Sequence, residues 1–299
     1  MARLSMGLPV YNGERFLPQT LEAILAQTFT DFELAIVDNA STDGTAAICQ
    51  DFARRDRRVR YHLNERNIGG GPNWNRAFEM SAPAPYFKWV AHDDLYGPAF
   101  LERCVSALDA DPGAVLAFTR AEFVDEAGQT IAERKSTLPL DSPDVVARFE
   151  ALFTTYDCLE IFGVMRREHL QRRPVMGQHV DGDGVLLANL ALRGRFIEVP
   201  ELLFWNRRHA KQAGTKYERD HRAWSVWWNP DNANRRVFPV WRRYLELWRG
   251  FLDAPLPPRD RLRCARALAR WTRWRRRRLF EDLTYYLRSD KANREPAGS

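Results

Sequence analysis

The fold of this 299-residue chain is decided by one stretch, Lys88-Trp89-Val90-Ala91-His92-Asp93-Asp94-Leu95-Tyr96-Gly97-Pro98. Apolar and aromatic residues lead into two adjacent carboxylates, and a helix-like run follows at residues 100–108. A buried strand that ends in acidic residues is typical of open α/β sheets, which bind ligands outside the carboxyl ends of their strands. Because adjacent carboxylates repel each other, a divalent metal that carries phosphates is expected beside them. The alternative is that one of the two acids caps the following helix.

Three earlier segments repeat this pattern of a strand followed by a polar loop and a helix. The strands are expected at residues 4–10, 32–37 and 59–63. Their alternation with helical periodicity predicts an α/β fold with a mostly parallel sheet flanked by helices. Right-handed crossovers place all strand-to-helix loops at one edge of such a sheet. The loops at residues 11–12, 38–39, 67–69 and 93–94 are therefore expected to converge on one crevice.

The middle of the chain has weaker periodicity. Strands are expected at residues 115–119 and 122–124, with a hairpin turn at 125–128, and a further short strand at 161–165. A helix is expected at 144–153. The loop at 176–184 carries two acids among glycines, and a second helix is expected to follow it and to end near Gly194. Residues 196–199 and 202–205 are strand-like.

Charge and tryptophan content divide the chain near residue 210. Residues 1–206 have a net charge of −8 and residues 207–299 a net charge of +14, and the second part holds seven of the ten tryptophans. We therefore expect an α/β domain at residues 1–210 and a C-terminal module at 211–299 made of two basic amphipathic helices. This module has three candidate partners: an anionic membrane surface, the first domain or a second copy of the chain, and nucleic acid. Nucleic acid is set aside because no recognised motif accompanies the charge.

Several classes of protein are disfavoured by absent features. The first strand does not end in G-x-G-x-x-G, and no G-x-x-x-x-G-K-[ST] occurs, so side chains and a metal rather than a glycine-rich cradle would hold a nucleotide. No run of 18 apolar residues and no signal peptide is found, and the four cysteines are widely spaced. A reduced, cytoplasmic location is expected.

The loop residues also carry a resemblance to a known family. Leu8-Pro9-Val10-Tyr11-Asn12-Gly13-Glu14, residues 27–34 and residues 37–45 resemble family 2 glycosyltransferases of the GT-A fold. Asn67-Ile68-Gly69, the acids at 93–94, Asp183 and residues 196–209 recur in that family's order, so the resemblance covers about residues 3–210. It implies a metal-dependent, inverting transfer of a sugar from a nucleotide diphosphate to an acceptor hydroxyl.

The resemblance also assigns a donor site. The base and ribose pocket falls to Pro9, Tyr11 and Glu14, and the base edge to Asp38 and Asn39, where Asn39 replaces the family's usual second acid. The alternative for Asp38 is a role in bracing its loop. The complete predicted donor site is Pro9, Tyr11, Asn12, Glu14, Asp38, Asn39, Asn67, Gly69 and Asp93.

The metal and the catalytic base are assigned in the same way. Asp94 would ligate Mg²⁺ or Mn²⁺ on the diphosphate, with Asp93 on the ribose or sugar side. His209 would complete the metal shell, with an ordinary loop histidine as the alternative, and Arg207 is a further basic residue after the last strand. Asp183 is the predicted general base, and Asp181 is the rival.

The sequence therefore predicts a glycosyltransferase of hexosyltransferase type, cytoplasmic or peripheral at the inner face of the cell membrane. A UDP-sugar is the expected donor, and a saccharide or lipid-linked molecule the acceptor. A homodimer and an anionic membrane are the other expected partners. The alternatives are a nucleotidyltransferase, which should carry a basic glycine-rich loop after the first strand, and a non-catalytic nucleotide-sugar-binding protein recruited to membranes by its C-terminal helices.

Overall fold

A parallel four-stranded unit forms the first third of the chain. The computed structural model describes residues 2–134, 138–154, 157–170, 174–177, 179, 181–210 and 221–292, without the side chains of 154, 221 and 285–292. The strands lie in the order β3-β2-β1-β4, all parallel, as predicted. The elements are β1 (Leu4–Val10), α1 (Leu17–Leu25), β2 (Phe32–Asp38), α2 (Thr45–Arg55), β3 (Val59–Leu63), α3 (Gly70–Met80) and β4 (Tyr86–Trp89).

The middle of the chain extends this sheet on the β4 side. Its elements are β5 (Leu95–Tyr96), α4 (Phe100–Ala110), β6 (Ala114–Val124), β7 (Thr130–Glu133), α5 (Val145–Thr154), β8 (Val164–Arg166), α6 (Gly182–Ala191) and β9 (Arg195–Arg207). The order continues β4-β8-β6-β9-β5, with β7 beside β6. Six of the nine strands that the described residues form run in one direction, because β8 is antiparallel to both β4 and β6 and β6 is parallel to β9.

Three details of this half differ from the sequence prediction. The strands expected at 115–119 and 122–124 are one strand, β6. The strand expected at 161–165 is a 3₁₀ turn (Leu159–Phe162) followed by the short β8. At Gly163 between them, a Cβ would lie 2.6 Å from the carbonyl oxygen of Ala117, so the backbone approaches β6 too closely for a side chain. The strands expected at 196–199 and 202–205 are one strand, β9, whose register against β6 shifts near Thr119.

Among the residues described after β9, the α-helices are α7 (His221–Trp228), α8 (Pro239–Leu252) and α9 (Pro258–Ala292). The two long helices were expected, and both begin with proline, which is favourable in the first helical turn. The short α7 was not expected. Helices α8 and α9 pack on each other and against α6 and α5, respectively. In the described part of the chain, no helix is both long enough and apolar enough to cross a bilayer.

Hydrophobic clusters cover both faces of the sheet. One contains the buried sides of α1, α2 and α4, and the other those of α5, α6, α8 and α9. Phe149 of α5, Leu187 of α6, Leu247 of α8 and Trp271 of α9 are all buried in the second cluster. The hydrophobic stripes of the basic helices therefore pack into the core of the α/β unit, and the core continues across residue 210.

Candidate active site

The short strand β5 brings the Asp93-Asp94 pair to the end of β9. Leu95 pairs with Trp205 and Tyr96 with Phe204, in antiparallel register. This pairing holds the segment after β4 beside residues 206–209, which are more than 100 positions away in sequence. Thr20 of α1 lies behind the segment, with its hydroxyl 3.0 Å and 2.8 Å from the carbonyl oxygens of His92 and Asp94.

Asp94 faces the protein interior. It is fully buried, and the amide of Asn206 lies 3.0 Å and 3.2 Å from its two oxygens. The backbone N–H of Arg207 donates to the same carboxylate at 2.9 Å. Burial, followed by the charge of Asp93, raises the pKa of Asp94 well above its usual range. The sequence predicted Asp94 as the metal ligand, which stays a prediction, and in this structure its hydrogen bonds hold the end of β9.

Asp93 is the acid that meets His209. Its Oδ2 lies 2.9 Å from His209 Nε2, and His209 also packs on the ring of Phe16 at 5.1 Å. Burial opposes ionisation of Asp93, but the charge of His92 and the hydrogen bond with His209 outweigh it and lower its pKa. Asp93 and His209 were both predicted as site residues, and the fold brings their functional atoms together.

A divalent metal fits this pair. The sequence assigned Asp94 and His209 as ligands, and Asp93 with His209 supplies the same two ligand types; Mg²⁺ in nucleotide sites usually takes one or two protein carboxylates and completes its shell with phosphates and water. Asp93 Oδ2 and His209 Nε2 share a hydrogen bond of 2.9 Å in this structure, and binding of a metal would replace that contact, with the lone pair of a neutral His209 on the ion. Among the described residues, no three or more His, Cys, Asp or Glu side chains come together as a metal site. Substrate oxygens would therefore supply the remaining ligands.

Arg207 does not reach the crevice. It is fully buried, and its guanidinium donates to the carbonyls of Asp93 and Glu126 and to the side chain of Gln19 at 2.7–2.9 Å. These contacts tie the end of β9 to α1 and to the β6–β7 turn. Arg207 therefore supports the site from beneath.

On the donor side, a network of amides holds the loop between β3 and α3. Asn39 donates to Asn67 Oδ1 at 3.0 Å and to the carbonyl of Gly69 at 3.2 Å. Its own oxygen accepts from Asn64 at 3.0 Å and from the Ile68 N–H at 2.9 Å. These four bonds use the capacity of the Asn39 amide. Its contact with a base edge stays a prediction, and in this structure Asn39 braces the loop.

The loops after β1 and β2 are joined by polar contacts. Asn12, in a left-handed conformation with φ 51°, accepts from the Thr42 N–H at 2.8 Å, and Glu14 accepts from the Gly44 N–H at 2.7 Å. Asp38 is buried and accepts from the Ser41 N–H and from the hydroxyl of Tyr61, each at 2.9 Å. The bracing role that was the alternative for Asp38 is therefore observed.

The remaining donor residues differ in exposure. Tyr11 is 42% exposed and Asn67 is exposed, so both present surface to a ligand at the carboxyl edge. Pro9 is buried at the end of β1. Gly69, with φ 89°, is buried under α7, because a Cβ there would lie 2.5 Å from Pro230 and 2.7 Å from the Trp228 carbonyl oxygen. A direct contact between Gly69 and a donor stays a prediction.

The two rival acids predicted as the catalytic base lie at the start of α6. Its far end meets the start of β6, because a Cβ at Gly194 would lie 2.7 Å from the Gly113 carbonyl oxygen, so the N-terminus of α6 lies toward the opposite edge, where β6 ends. Asp183 is half-buried, and its Oδ1 accepts from the Gly184 N–H at 2.8 Å. Burial, followed by the charge of Asp181, raises the pKa of Asp183 to about 6. Within the described part of the chain, Asp183 has no ion-pair partner.

Asp181 has a different environment. It has φ 64° and forms an ion pair with Arg243 of α8, with Oδ2 and Nη1 3.2 Å apart. The two acids that the sequence left as rivals therefore differ in partners: Arg243 pairs directly with Asp181, and among the described residues Asp183 has no direct ion pair. Residues 178 and 180 of the predicted loop lie outside the described residues.

Three contributors to this site were not found from the sequence: Asn206, Trp228 and Arg243. Asn206 stands between the apolar end of β9 and a basic run, which is a weak signal for a buried polar contact. Trp228 and Arg243 belong to the region that charge and tryptophan content had separated from the α/β domain. No local pattern indicates that they contact the loop before α6.

Comparison with known proteins identifies the family and the fold of this chain. Residues 5–173 match the family described as Glycosyl transferase family 2. An uncharacterized glycosyltransferase of Rickettsia typhi is 29% identical over 129 residues, which is 43% of this chain and 39% of that protein. Chondroitin synthase of Escherichia coli is 30% identical over 129 residues, 43% of this chain and 18% of the synthase. The chain thus matches less than half the length of these curated relatives.

Two solved structures share the fold. TarS of S. aureus in complex with UDP-GlcNAc has a TM-score of 0.63 at 17% identity, covering 90% of this chain and 72% of that one. A mannosyltransferase of Pyrobaculum calidifontis in complex with GDP-Man and Mn²⁺ has a TM-score of 0.54 at 20% identity, covering 100% of this chain and 76% of the other. At these identities the likeness concerns the fold, and it confirms the predicted GT-A-type α/β architecture.

Proposed function

The chain belongs to glycosyl transferase family 2, and on that premise we propose that it transfers a sugar from a nucleoside diphosphate to a hydroxyl of a saccharide or lipid-linked acceptor, with inversion. One observation carries the proposal. A carboxylate with a pKa of about 6 and no direct ion-pair partner among the described residues, Asp183, lies toward the sheet edge that also holds the Asp93–His209 pair. An inverting transfer needs this combination of a base and a site for the departing diphosphate.

The reaction assigns each group one task. Asp183 accepts the proton of the acceptor hydroxyl as the acceptor oxygen bonds to the anomeric carbon. The bond from that carbon to the diphosphate oxygen breaks, and its electron pair leaves with the nucleoside diphosphate. Because the base acts on the face opposite the leaving group, the configuration inverts. A raised pKa suits this task, since a base works best when its pKa lies near the working pH.

We assign the metal to Asp93 and His209 rather than to Asp94. Asp94 is fully buried and holds the Asn206 amide and the Arg207 N–H, whereas Asp93 keeps 8% exposure and its Oδ2 meets His209, the other proposed ligand. When bound, Mn²⁺ or Mg²⁺ supplies positive charge that stabilises the departing diphosphate. The protein side of that site is the carboxylate of Asp93, the imidazole of His209 and the β9 backbone that positions both.

The donor is proposed to be a UDP-sugar, held over the loops after β1, β2 and β3. Tyr11 and Asn67 offer the exposed surface for the base and ribose. The two solved relatives bind different nucleotides, UDP-GlcNAc and GDP-Man, so the base has to be measured for this chain. Thermal-shift measurements with UDP- and GDP-sugars and Mn²⁺ should show one nucleotide raising the midpoint of thermal unfolding. A ligand that binds only the folded state stabilises it by RT ln(1 + [L]/Kd), so the nucleotide with the lower Kd gives the larger shift. Shifts of equal size for every nucleotide would contradict donor recognition.

The test of the activity is turnover. With the stabilising nucleotide sugar and Mn²⁺, the protein should release the nucleoside diphosphate, and Asp183→Asn should abolish release while it keeps the donor-dependent thermal shift. Asp181→Asn tests the rival base. If Asp183→Asn kept full turnover and Asp181→Asn lost it, Asp181 would be the base. Absence of turnover from wild-type protein that shows the donor-dependent shift would favour a non-catalytic binding protein.

One face of α9 is proposed to contact an anionic membrane. Leu262, Phe280 and Leu283 are 53%, 62% and 46% exposed and lie on the side opposite the buried stripe of the helix. Arg273 and Arg276 lie on the same face and have no ion-pair partner among the described residues. Basic and apolar side chains on one helix face bind anionic headgroups and the acyl boundary together.

Vesicle flotation tests this surface. Wild-type protein should float with vesicles that contain phosphatidylglycerol and should stay behind with phosphatidylcholine alone. Phe280→Ser combined with Arg276→Gln should weaken flotation, whereas Leu245→Ser, at an exposed leucine of α8, is the matched control. Equal flotation of both variants would exclude this face.

A further inference from the structure

The C-terminal helices make a polar contact with the acids at the start of α6. Arg243 is a buried residue of α8, and its Nη1 lies 3.2 Å from Asp181 Oδ2. Its Nη2 donates to the carbonyl oxygen of Phe153 at the end of α5, at 3.1 Å, and its guanidinium lies 5.8 Å from the ring centre of Trp271. A buried arginine held by α5 and α9 in this way has little freedom to turn elsewhere. It therefore fixes the side chain of Asp181.

The loop that carries these acids is anchored independently of Arg243. Asn75 of α3 donates to the carbonyl of Met176 at 2.9 Å and accepts from its N–H at 2.9 Å. Trp228 of α7 donates to the carbonyl of Gly177 at 2.9 Å. Gly177 in turn touches Gly182, where a Cβ would lie 2.7 Å from the Gly177 oxygen. Loss of the Arg243 side chain should therefore leave the backbone of the loop in place.

We propose that Arg243 is a positioning residue for the transfer: it pairs with Asp181, sets the electrostatics at the start of α6, and leaves Asp183 as the one carboxylate able to accept a proton. The inference rests on the proposed role of Asp183 as base. It makes the C-terminal helices a part of the catalytic unit, because their arginine decides which of two neighbouring acids is active.

The charges around Asp183 predict the direction in which each substitution shifts its pKa. After burial, Asp181 raises the pKa of Asp183, whereas the Gly184 N–H and then Arg243 lower it. Removal of Arg243 should raise that pKa further, and removal of the Asp181 charge should lower it. The other titratable or charged groups near the loop are Cys158, whose pKa burial raises, His179 beside Gly177, and Glu160 and Asp157 paired with Arg134. None of these changes in the two variants.

The test is the pH dependence of kcat/KM for the acceptor between about pH 5 and pH 9, which reports the essential base of the free enzyme. The acidic limb of Arg243→Met should move to higher pH, by about half a unit, because a direct opposite charge shifts an acid by roughly 1–3 units and Arg243 contacts Asp181 instead. The limb of Asp181→Asn should move to lower pH. Arg243→Lys should restore the wild-type position in part.

Arg242→Met is the matched control. Arg242 is the exposed neighbour of Arg243 on the same helix, so the variant removes the same charge without touching the acids. Its limb should coincide with that of the wild type. Where Arg243→Met does not fold, Asp181→Asn carries the test, since it preserves side-chain size.

Two failures can be told apart. An acidic limb that stays in place, or moves in the same direction, in folded Arg243→Met and Asp181→Asn would overturn the positioning role. Full turnover by Asp183→Asn would overturn the base assignment itself. If Asp183→Asn lost turnover and the acidic limb of the pH profile of Arg243→Met stayed in place, the positioning role of Arg243 would be excluded. The proposed function would then still stand.

Discussion

Substitutions of the two adjacent acids should separate catalysis from stability. Asp94→Ala removes the acceptor of two buried donors, the Asn206 amide and the Arg207 backbone N–H. Each buried donor left without a partner costs about 1–3 kcal/mol, so the variant should lose roughly 2–6 kcal/mol of unfolding free energy. A loss of 1 kcal/mol lowers the melting temperature of a domain of this size by about 2 °C, which predicts a drop of about 4–12 °C.

Asp94→Asn should be much milder. Asn206 Oδ1 is buried and has no partner among the described residues. After rotation of the Asn206 amide, this oxygen can accept a hydrogen bond from the NH₂ of the new side chain. The side-chain oxygen at position 94 then still accepts from the Arg207 N–H. The cost then reduces to exchanging a charged acceptor for a neutral one, about 1 kcal/mol for each bond. Turnover that depends on Mn²⁺ should persist in Asp94→Asn.

Asp93→Asn should show the opposite behaviour. Asp93 is buried beside His209, so the variant should lose some stability, but less than Asp94→Ala because no donor pair of the β9 end is left unpartnered, while metal-dependent turnover is lost. Differential scanning fluorimetry and nucleoside diphosphate release against Mn²⁺ concentration measure both effects. Asp51→Asn, in an exposed ion pair of α2, is the control and should change neither. Retained Mn²⁺ response in Asp93→Asn together with its loss in folded Asp94→Asn would refute this reasoning and restore Asp94 as the ligand.

Three further predictions follow from the site. Turnover of the wild-type protein should fall as pH drops through about 6, since protonation removes the Asp183 base; a flat profile from pH 5 to pH 8 would contradict this. Asp183→Asn should raise the melting temperature more at pH 7.5 than at pH 5. The raised pKa of Asp183 means that its ionised form destabilises the folded protein, and this form prevails above about pH 6. Gly71→Ala should lower the melting temperature and weaken turnover, because its Cβ would lie 2.4 Å from Trp228 Nε1, and overpacking costs about 1–3 kcal/mol. Gly113→Ala, whose Cβ would meet its nearest neighbour at 3.3 Å in a surface turn, is the control for that substitution.

The α/β alternation and the place of the site could be read from the sequence. The limits of β1 and β3 agree with the predicted segments to the residue, because an apolar run closed by a polar loop is a local pattern. Since crossover handedness is nearly invariant, it then brings the loops after β1 to β4 to one edge without further information. Asp183 could be picked out only through the resemblance, and its partners stayed unknown.

The tertiary structure decided what each of these residues does. Neighbouring residues such as Asp93 and Asp94 differ in side-chain direction, and the partner that selects between them, Asn206, comes from 112 positions downstream through the β5–β9 pairing. In the same way, Asp181 is paired by Arg243, 62 positions away on a helix that composition alone had set apart. The sequence by itself therefore determined which residues gather at the crevice, since periodicity and handedness are local. Which acid faces the ligand and which is held by the protein depends on long-range contacts that no local pattern encodes.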